Sequence, residues 1–254
     1  MTDFVDVGEA RLEYADIPAS RIGLPALLLL HEGLGSVSMW RDFPAQLAES
    51  TGCRLVAYSR AGFGRSSPRS SPYTPRFIHE EAFEVIPALR AQLGIDPVVL
   101  VGHSTGASMA LVHASGNAVA GVVAMAPLTT VEGSNVESIR QARTLYETTD
   151  WRTRLARHHD EVDAVFYGWN DTWLQPGFRD WNILDDLRRV HAPVLAILGA
   201  DDEYSSPDQV AAIAESMPDP ARFQSLLLAG CGHAPHREQP AAVLRAVTGF
   251  LGAL

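Results

Sequence analysis

Val98-Val99-Leu100-Val101-Gly102-His103-Ser104-Thr105-Gly106 is the stretch that decides the fold. Val98 to Val101 is an apolar run without polar alternation, as expected of a strand buried on both faces. Ala107-Ser108-Met109-Ala110-Leu111-Val112-His113-Ala114 follows and reads as a helix. A serine between two glycines at a strand-to-helix turn is a nucleophile elbow. The turn is tight, so Ser104 is expected in a strained backbone conformation, with no bulk tolerated two positions to either side. Its hydroxyl then projects from the top of a sheet, at the positive end of the following helix. Gly-x-Ser-x-Gly alone is a weak pattern, and the strand and helix around it give it weight.

Working outward, strand-like runs recur at Ala26 to Leu30, Arg54 to Tyr58, Val119 to Met125, Val194 to Leu198 and Phe223 to Leu228. Helical patterns fall between them: Trp40 to Ser50, Phe77 to Leu93, Ser206 to Ser216 and Pro240 to Leu251. Thr74-Pro75 starts the second of these, Gly94 ends it, and Pro87 is expected to kink it. Strands alternating with helices predict an α/β fold with a mostly parallel central sheet covered on both faces. The alternation breaks in 129–186, which is polar, arginine-rich and aromatic. Four of the five tryptophans lie there: Trp151, Trp169, Trp173 and Trp181. Disordered linkers are poor in aromatics, so this stretch is expected to be an inserted helical cap. Residues 1–128 and 187–254 then form the core.

Composition narrows the chemistry. The chain has 254 residues, 46% of them hydrophobic, which suits one sizeable domain. A net charge of −10 with no basic cluster argues against nucleic acid or an anionic membrane face as partner. All 20 basic residues are arginine. Without lysine there is no Schiff base, no pyridoxal phosphate anchor, no Ser-Lys dyad and no phosphate-loop lysine. Cys53 and Cys231 are too few for a disulfide framework and lack zinc spacing. Cys231 is near His233, but a small buried hydrophobe is the commoner role. His158-His159 are adjacent rather than at i, i+4, so no metal is expected, and no cofactor. No basic region or apolar signal core opens the chain, and no apolar stretch reaches the ~20 residues that span a bilayer, so a cytoplasmic location is the expectation.

The partners of Ser104 are sought after later strands. Gly230-Cys231-Gly232-His233-Ala234-Pro235-His236 follows the last strand, and a histidine on a glycine loop there can reach a serine on another strand. His233 is the expected general base, with His236 its rival. Leu198-Gly199-Ala200-Asp201-Asp202-Glu203 follows the preceding strand and supplies the acid, in the order Ser…Asp…His. Spacing from Gly199 favours Asp202. Asp201 is expected to hold the turn and Glu203 to be solvated. The developing oxyanion needs N–H donors. Thr105 supplies one, and Gly33, in His31-Glu32-Gly33-Leu34-Gly35-Ser36 after Ala26 to Leu30, is the expected second.

These segments, with Arg60-Ala61-Gly62-Phe63-Gly64-Arg65-Ser66, stand in the order of the α/β-hydrolase fold family, and the chain resembles that family over nearly its whole length. The family commonly has glycine where Glu32 stands and Asp-x-Arg-Gly where Ser59-Arg60-Ala61 runs. A carboxylate aimed at the oxyanion site would oppose the charge that develops there, so Glu32 is expected to turn away into a polar contact. The resemblance implies a serine hydrolase of small-molecule carboxylic esters. Serine at the elbow argues against the haloalkane dehalogenase and epoxide hydrolase relatives, which use aspartate. The cap aromatics suggest an apolar or aromatic substrate part, with Trp169, Trp173 and Trp181 as candidate walls. The alternatives are a carbon–carbon bond hydrolase of aromatic breakdown, a perhydrolysing haloperoxidase-type member, a triad-retaining ligand receptor and a cofactor-free oxygenase. Arg60 or a cap arginine is a candidate receiver for an acidic substrate, with surface solvation the alternative reading.

Overall fold

A computed structural model describes residues 2–254. Eight strands form one sheet: β1 (Asp3–Val7), β2 (Ala10–Ile17), β3 (Ala26–Leu30), β4 (Leu55–Tyr58), β5 (Val98–His103), β6 (Gly121–Met125), β7 (Val194–Gly199) and β8 (Phe223–Leu228). Their spatial order is β1-β2-β4-β3-β5-β6-β7-β8. β1 and β2 pair antiparallel, as do β2 and β4. Every pairing from β4 onward is parallel. This is the α/β-hydrolase architecture.

The central strands alternate cleanly between two cores. Leu28, Leu30, Leu100, Val122 and Ala196 face one side, with helices Ile86–Leu93, Thr105–Ala114 and Pro207–Ser216 against them. Leu27, Leu29, Val99, Val101, Val123 and Ile197 face the other, under helices Phe43–Thr51 and Pro240–Leu251. An unbroken apolar run is what such a doubly covered strand needs.

Two features differ from the sequence expectations. β1 and β2 form an N-terminal hairpin at the sheet edge, turning at Gly8 (φ 59°). Around Pro87, where a kink is expected, the chain widens: a helical turn at Phe77–Glu80 opens into a π turn at Glu81–Val85 and closes into Ile86–Leu93. The wider turn accommodates a residue that has no N–H to give.

Between β6 and β7 lie helices Gly133–Thr148, Trp151–Leu155, Val162–Leu174 and Leu184–Leu187. The first three share an apolar cluster with the loops after β3 and β4: Leu34 and Phe63 pack with Tyr146, Leu155, Val162, Val165 and Phe166. Buried His159 fastens the two parts, accepting from the Gly64 N–H and donating to the Leu34 carbonyl, 2.9 Å each. These helices therefore sit over the C-terminal ends of β3 and β4, on the side of the sheet where an open α/β fold places its ligand.

Candidate active site

Ser104 follows β5 and precedes helix Thr105–Ala114. Its φ of 52° and ψ of −119° lie where a side chain is strained. The flanking glycines explain how the turn is tolerated. A Cβ at Gly102 would run into the Gly106 carbonyl and Ala107, and one at Gly106 into the carbonyls of Leu30 and His31. The elbow is thus wedged between its own helix and the end of β3. Thr105 is the first residue of that helix, so its N–H has no carbonyl one turn earlier to receive it.

His233 lies on the loop after β8. Its Nδ1 is 2.8 and 2.9 Å from the two carboxylate oxygens of Asp202. A carboxylate accepts, so Nδ1 donates and Nε2 keeps its lone pair. The Asp202 side chain is fully buried. Its Oδ1 also accepts from the N–H groups of Tyr204 (2.8 Å) and Ser205 (2.9 Å), which fix its rotation. A Cβ at Gly199 would collide with the carbonyls of Cys231 and Gly232, so a glycine there lets the acid turn and the histidine loop touch. Asp201 is exposed, and only its backbone N–H meets that loop, at the Cys231 carbonyl (2.9 Å). Glu203 is exposed.

The rival histidine is packed away. His236 is buried, with ring centroids 4.9 Å from Trp40 and 5.3 Å from Phe43, and burial holds its pKa well below the usual histidine value. The Cys231 thiol is buried too, and burial, with Glu238 and Asp202 nearby, pushes it up to about 11. Such a thiol is a poor nucleophile at neutral pH.

Ser104, Thr105, His233 and Gly33 line one cavity of about 220 Å³. Trp169 and Trp173 line it with them. Trp181 is not brought there. Its ring stacks on Phe178 (5.3 Å between centroids, 12° between planes) and packs with Trp173 in the core. Gly33 lies directly under Trp169, whose indole would meet any side chain placed there. Further lining comes from Met39, Leu128, Asn135, Ile139, Trp151, Leu155, Tyr204 and Arg237. Tyr204 was within reach of sequence reasoning, two residues past Asp202. The others depend on how the inserted helices are turned, which composition does not encode.

Glu32 turns towards His103: its Oε2 is 3.5 Å from His103 Nδ1. Burial alone would raise its carboxyl, but His103, His31 and Arg237 outweigh that and hold it well below the usual carboxylate range. Arg60 is neither solvated nor free for a substrate. It is 3% exposed, and its guanidinium donates to the carbonyls of His31 (2.6 Å) and Glu32 (2.9 Å). Among the described residues no cluster of three or more His, Cys, Asp or Glu could hold a metal ion, and no helix is long and apolar enough to cross a membrane.

A family model described as the alpha/beta hydrolase family matches residues 27–246. The chain belongs to this family. As an alpha/beta hydrolase it is similar to the proline iminopeptidase of Lactobacillus delbrueckii subsp. bulgaricus, at 24% identity over 256 residues and 85% of each chain. It is similar to the sn-1-specific diacylglycerol lipase of Mus musculus, at 25% identity over 90% of this chain and 81% of the lipase. The crystal structure of the enol-lactonase from Burkholderia xenovorans superposes with a TM-score of 0.77 at 21% identity, covering 98% of this alpha/beta hydrolase and all of the enol-lactonase. That level of identity speaks for the shared fold.

Proposed function

We propose that this alpha/beta hydrolase cleaves carboxylic esters through an acyl-enzyme on Ser104. The observation that carries the reading is the grip of Asp202 on His233 Nδ1, with His233 lining the same cavity as the strained serine. In this reading His233 Nε2 takes the Ser104 proton as Oγ bonds to the ester carbonyl carbon. The N–H groups of Gly33 and Thr105 receive the oxyanion. His233⁺ passes the proton to the departing alcohol as the C–O bond breaks. Water then attacks the acyl-enzyme, giving its proton to His233, and the acid and Ser104 are released. The mainly apolar wall of Leu34, Met39, Leu128, Ile139, Trp169 and Trp173 suits an apolar or aromatic substrate part.

Arg60 is committed to backbone carbonyls, which argues against the acidic dienoates of carbon–carbon bond hydrolases. The test is a fluorophosphonate probe, with peptide mapping of the adduct. Label on Ser104 with loss of activity towards p-nitrophenyl esters is expected. Label on Cys231, or none while activity persists, would overturn the serine mechanism.

A further inference from the structure

Three N–H groups converge on the Glu32 carbonyl oxygen: His31 Nδ1 at 2.8 Å, an Arg60 guanidinium N–H at 2.9 Å and the Gly35 N–H at 3.1 Å. The tautomer of His31 follows from its other nitrogen. Nε2 lies 3.1 Å from the Arg60 backbone nitrogen, whose N–H can only donate, so Nε2 accepts and the ring proton is on Nδ1. Burial and the Arg60 charge hold this imidazole well below the usual histidine pKa, so it stays neutral. Arg60 also donates to the His31 carbonyl at 2.6 Å, so one guanidinium grips two successive carbonyls. Neither His31 nor Arg60 lines the catalytic cavity, whereas Gly33 does. Among the described residues the only cis peptide bond is Asp96–Pro97, so the Glu32–Gly33 unit is trans and planar. In a trans peptide the N–H points opposite to the C=O. The Gly33 N–H therefore points away from His31 and Arg60, and among the described residues no backbone or side-chain group accepts it.

We propose that Arg60 is a positioning residue for catalysis: with His31 it aims the Gly33 N–H at the oxyanion and strengthens it as a donor. The inference rests on the ester hydrolase reading above and deepens it. Arg60 touches no substrate and acts through a single peptide unit. A charged donor on a carbonyl polarises that peptide, and the N–H at its other end becomes a better donor. The charge of Arg60 is otherwise hard to account for. The side chain is 3% exposed, its Nε meets no acceptor, and its two terminal nitrogens rest on backbone carbonyls. Burying a guanidinium merely to staple two loops is costly, since a neutral donor would serve. The effect of the charge belongs to the transition state, where the ester oxygen becomes negative. A staple alone would instead lower stability and leave the chemistry of each folded molecule unchanged.

The test uses p-nitrophenyl butyrate and a trifluoromethyl ketone with the same propyl group. In the ketone adduct Ser104 Oγ bonds to the carbonyl carbon, the hydroxyl proton passes to His233, and the carbonyl oxygen becomes an oxyanion. Arg60→Met removes the charge, and Arg60→Lys keeps a charge without the planar fork. Rates are taken per Ser104 titrated to completion with a fluorophosphonate, so unfolded protein does not count. Arg60→Met should lower kcat about 100-fold, the loss that follows removal of one oxyanion donor. KM should change less than about threefold, because the ground state carries little of the charge. Arg60→Lys should lower kcat about tenfold. The inhibition constant of the ketone should rise by the factor by which kcat/KM falls, since both contain the oxyanion. In wild-type protein the Gly33 amide proton should move downfield when the adduct forms. Unchanged kcat per titrated serine in the variants, whatever their melting temperatures, overturns the positioning role. So does a wild-type Gly33 resonance that the adduct does not move, a measurement that needs no variant to fold. No ester turnover and no adduct in folded wild-type protein overturns the ester hydrolase reading itself, and this inference falls with it.

Discussion

Asp202→Asn is the perturbation whose outcome the geometry determines most closely. Oδ1 of Asp202 receives two backbone N–H groups, from Tyr204 at 2.8 Å and Ser205 at 2.9 Å. Both partners are donors, so in asparagine the carbonyl oxygen must stay there. The NH₂ then takes the place of Oδ2, which lies 2.9 Å from His233 Nδ1. Nδ1 also lies 2.8 Å from Oδ1, but both lone pairs of that uncharged oxygen are taken by the two backbone N–H groups, while the NH₂ presents a proton to Nδ1. The arrangement that satisfies every donor has Nδ1 accepting and the imidazole proton on Nε2. The nitrogen that should take the Ser104 proton no longer has a lone pair. A misassigned tautomer of this kind costs ~10⁴ in turnover, or ~5.5 kcal/mol of barrier. The substitution is nearly isosteric and keeps the turn's hydrogen bonds, so circular dichroism and the melting temperature should stay close to wild type. Asp201→Asn, at an exposed position, should keep at least half of wild-type turnover. The assay is kcat on a short-chain p-nitrophenyl ester at pH 8. A folded Asp202→Asn protein retaining more than a tenth of the wild-type rate would refute the argument, as would an equal fall in Asp201→Asn.

Other expectations follow from burial. Trp181→Ala should destabilise by about 3–5 kcal/mol, read by urea denaturation, because its ring is packed against Phe178 and Trp173. A change in acyl-length preference without that loss would place Trp181 in the substrate site after all. Cys231→Ala should retain the bulk of esterase activity, since the thiol is pushed up to about 11; loss of activity in folded protein would reopen a thiol mechanism. Burial lowers both His113 and His159 to about 4, against ~6.5 unfolded. The unfolded chain therefore binds more protons between those values, so this stability is full above about pH 6.5 and is lost as pH falls towards 4, about 2 kcal/mol for each histidine by pH 5. Denaturation midpoints at pH 7 and 5 measure it, and equal midpoints would contradict the assignment.

The sheet was legible where its strands are buried twice. β3 to β7 stand out as apolar runs because both of their faces need apolar cover, whereas β8, at the other edge, is largely exposed and shows only through Leu226, Leu227 and Leu228. β1 and β2 did not, since an edge hairpin with one wet face mixes Asp3, Asp6, Arg11 and Glu13 among its apolar residues. A search for continuous apolar runs passes over that pattern. Ser104, Asp202 and His233 were legible because each sits at a turn that glycine makes possible, and turn chemistry is local. The cavity wall was not. Trp173 and Trp181 are eight residues apart in the same aromatic stretch, yet one lines the cavity and the other packs beneath it. That division depends on the rotation of helix Val162–Leu174 and the chain after it, which tertiary packing sets. Arg60 misled for a similar reason: an arginine beside a polar loop reads as solvated, whereas here it is buried under two carbonyls.

Glu32 stands beside Gly33 on the loop after β3, and the surrounding atoms show how a carboxylate can be carried there. Two unit charges ~4 Å apart interact by ~4 kcal/mol at an effective dielectric constant of ~20. Losing one oxyanion donor costs ~2.7–4 kcal/mol. A Glu32 carboxylate aimed at an oxyanion between Gly33 and Thr105 would therefore cancel about one donor. The side chain is instead turned towards His103, whose Nδ1 is 3.5 Å from Oε2. His103 Nε2 lies 2.6 Å from the His233 carbonyl oxygen, and a carbonyl only accepts, so that nitrogen carries a proton. One imidazole thus ties the elbow to the loop that bears His233, while its Nδ1 makes no hydrogen bond. The positive charge of Arg237 and the imidazoles beside Glu32 favour the carboxylate where it stands. A glycine at position 32 would remove that charge from the cavity wall, which Glu32 lines.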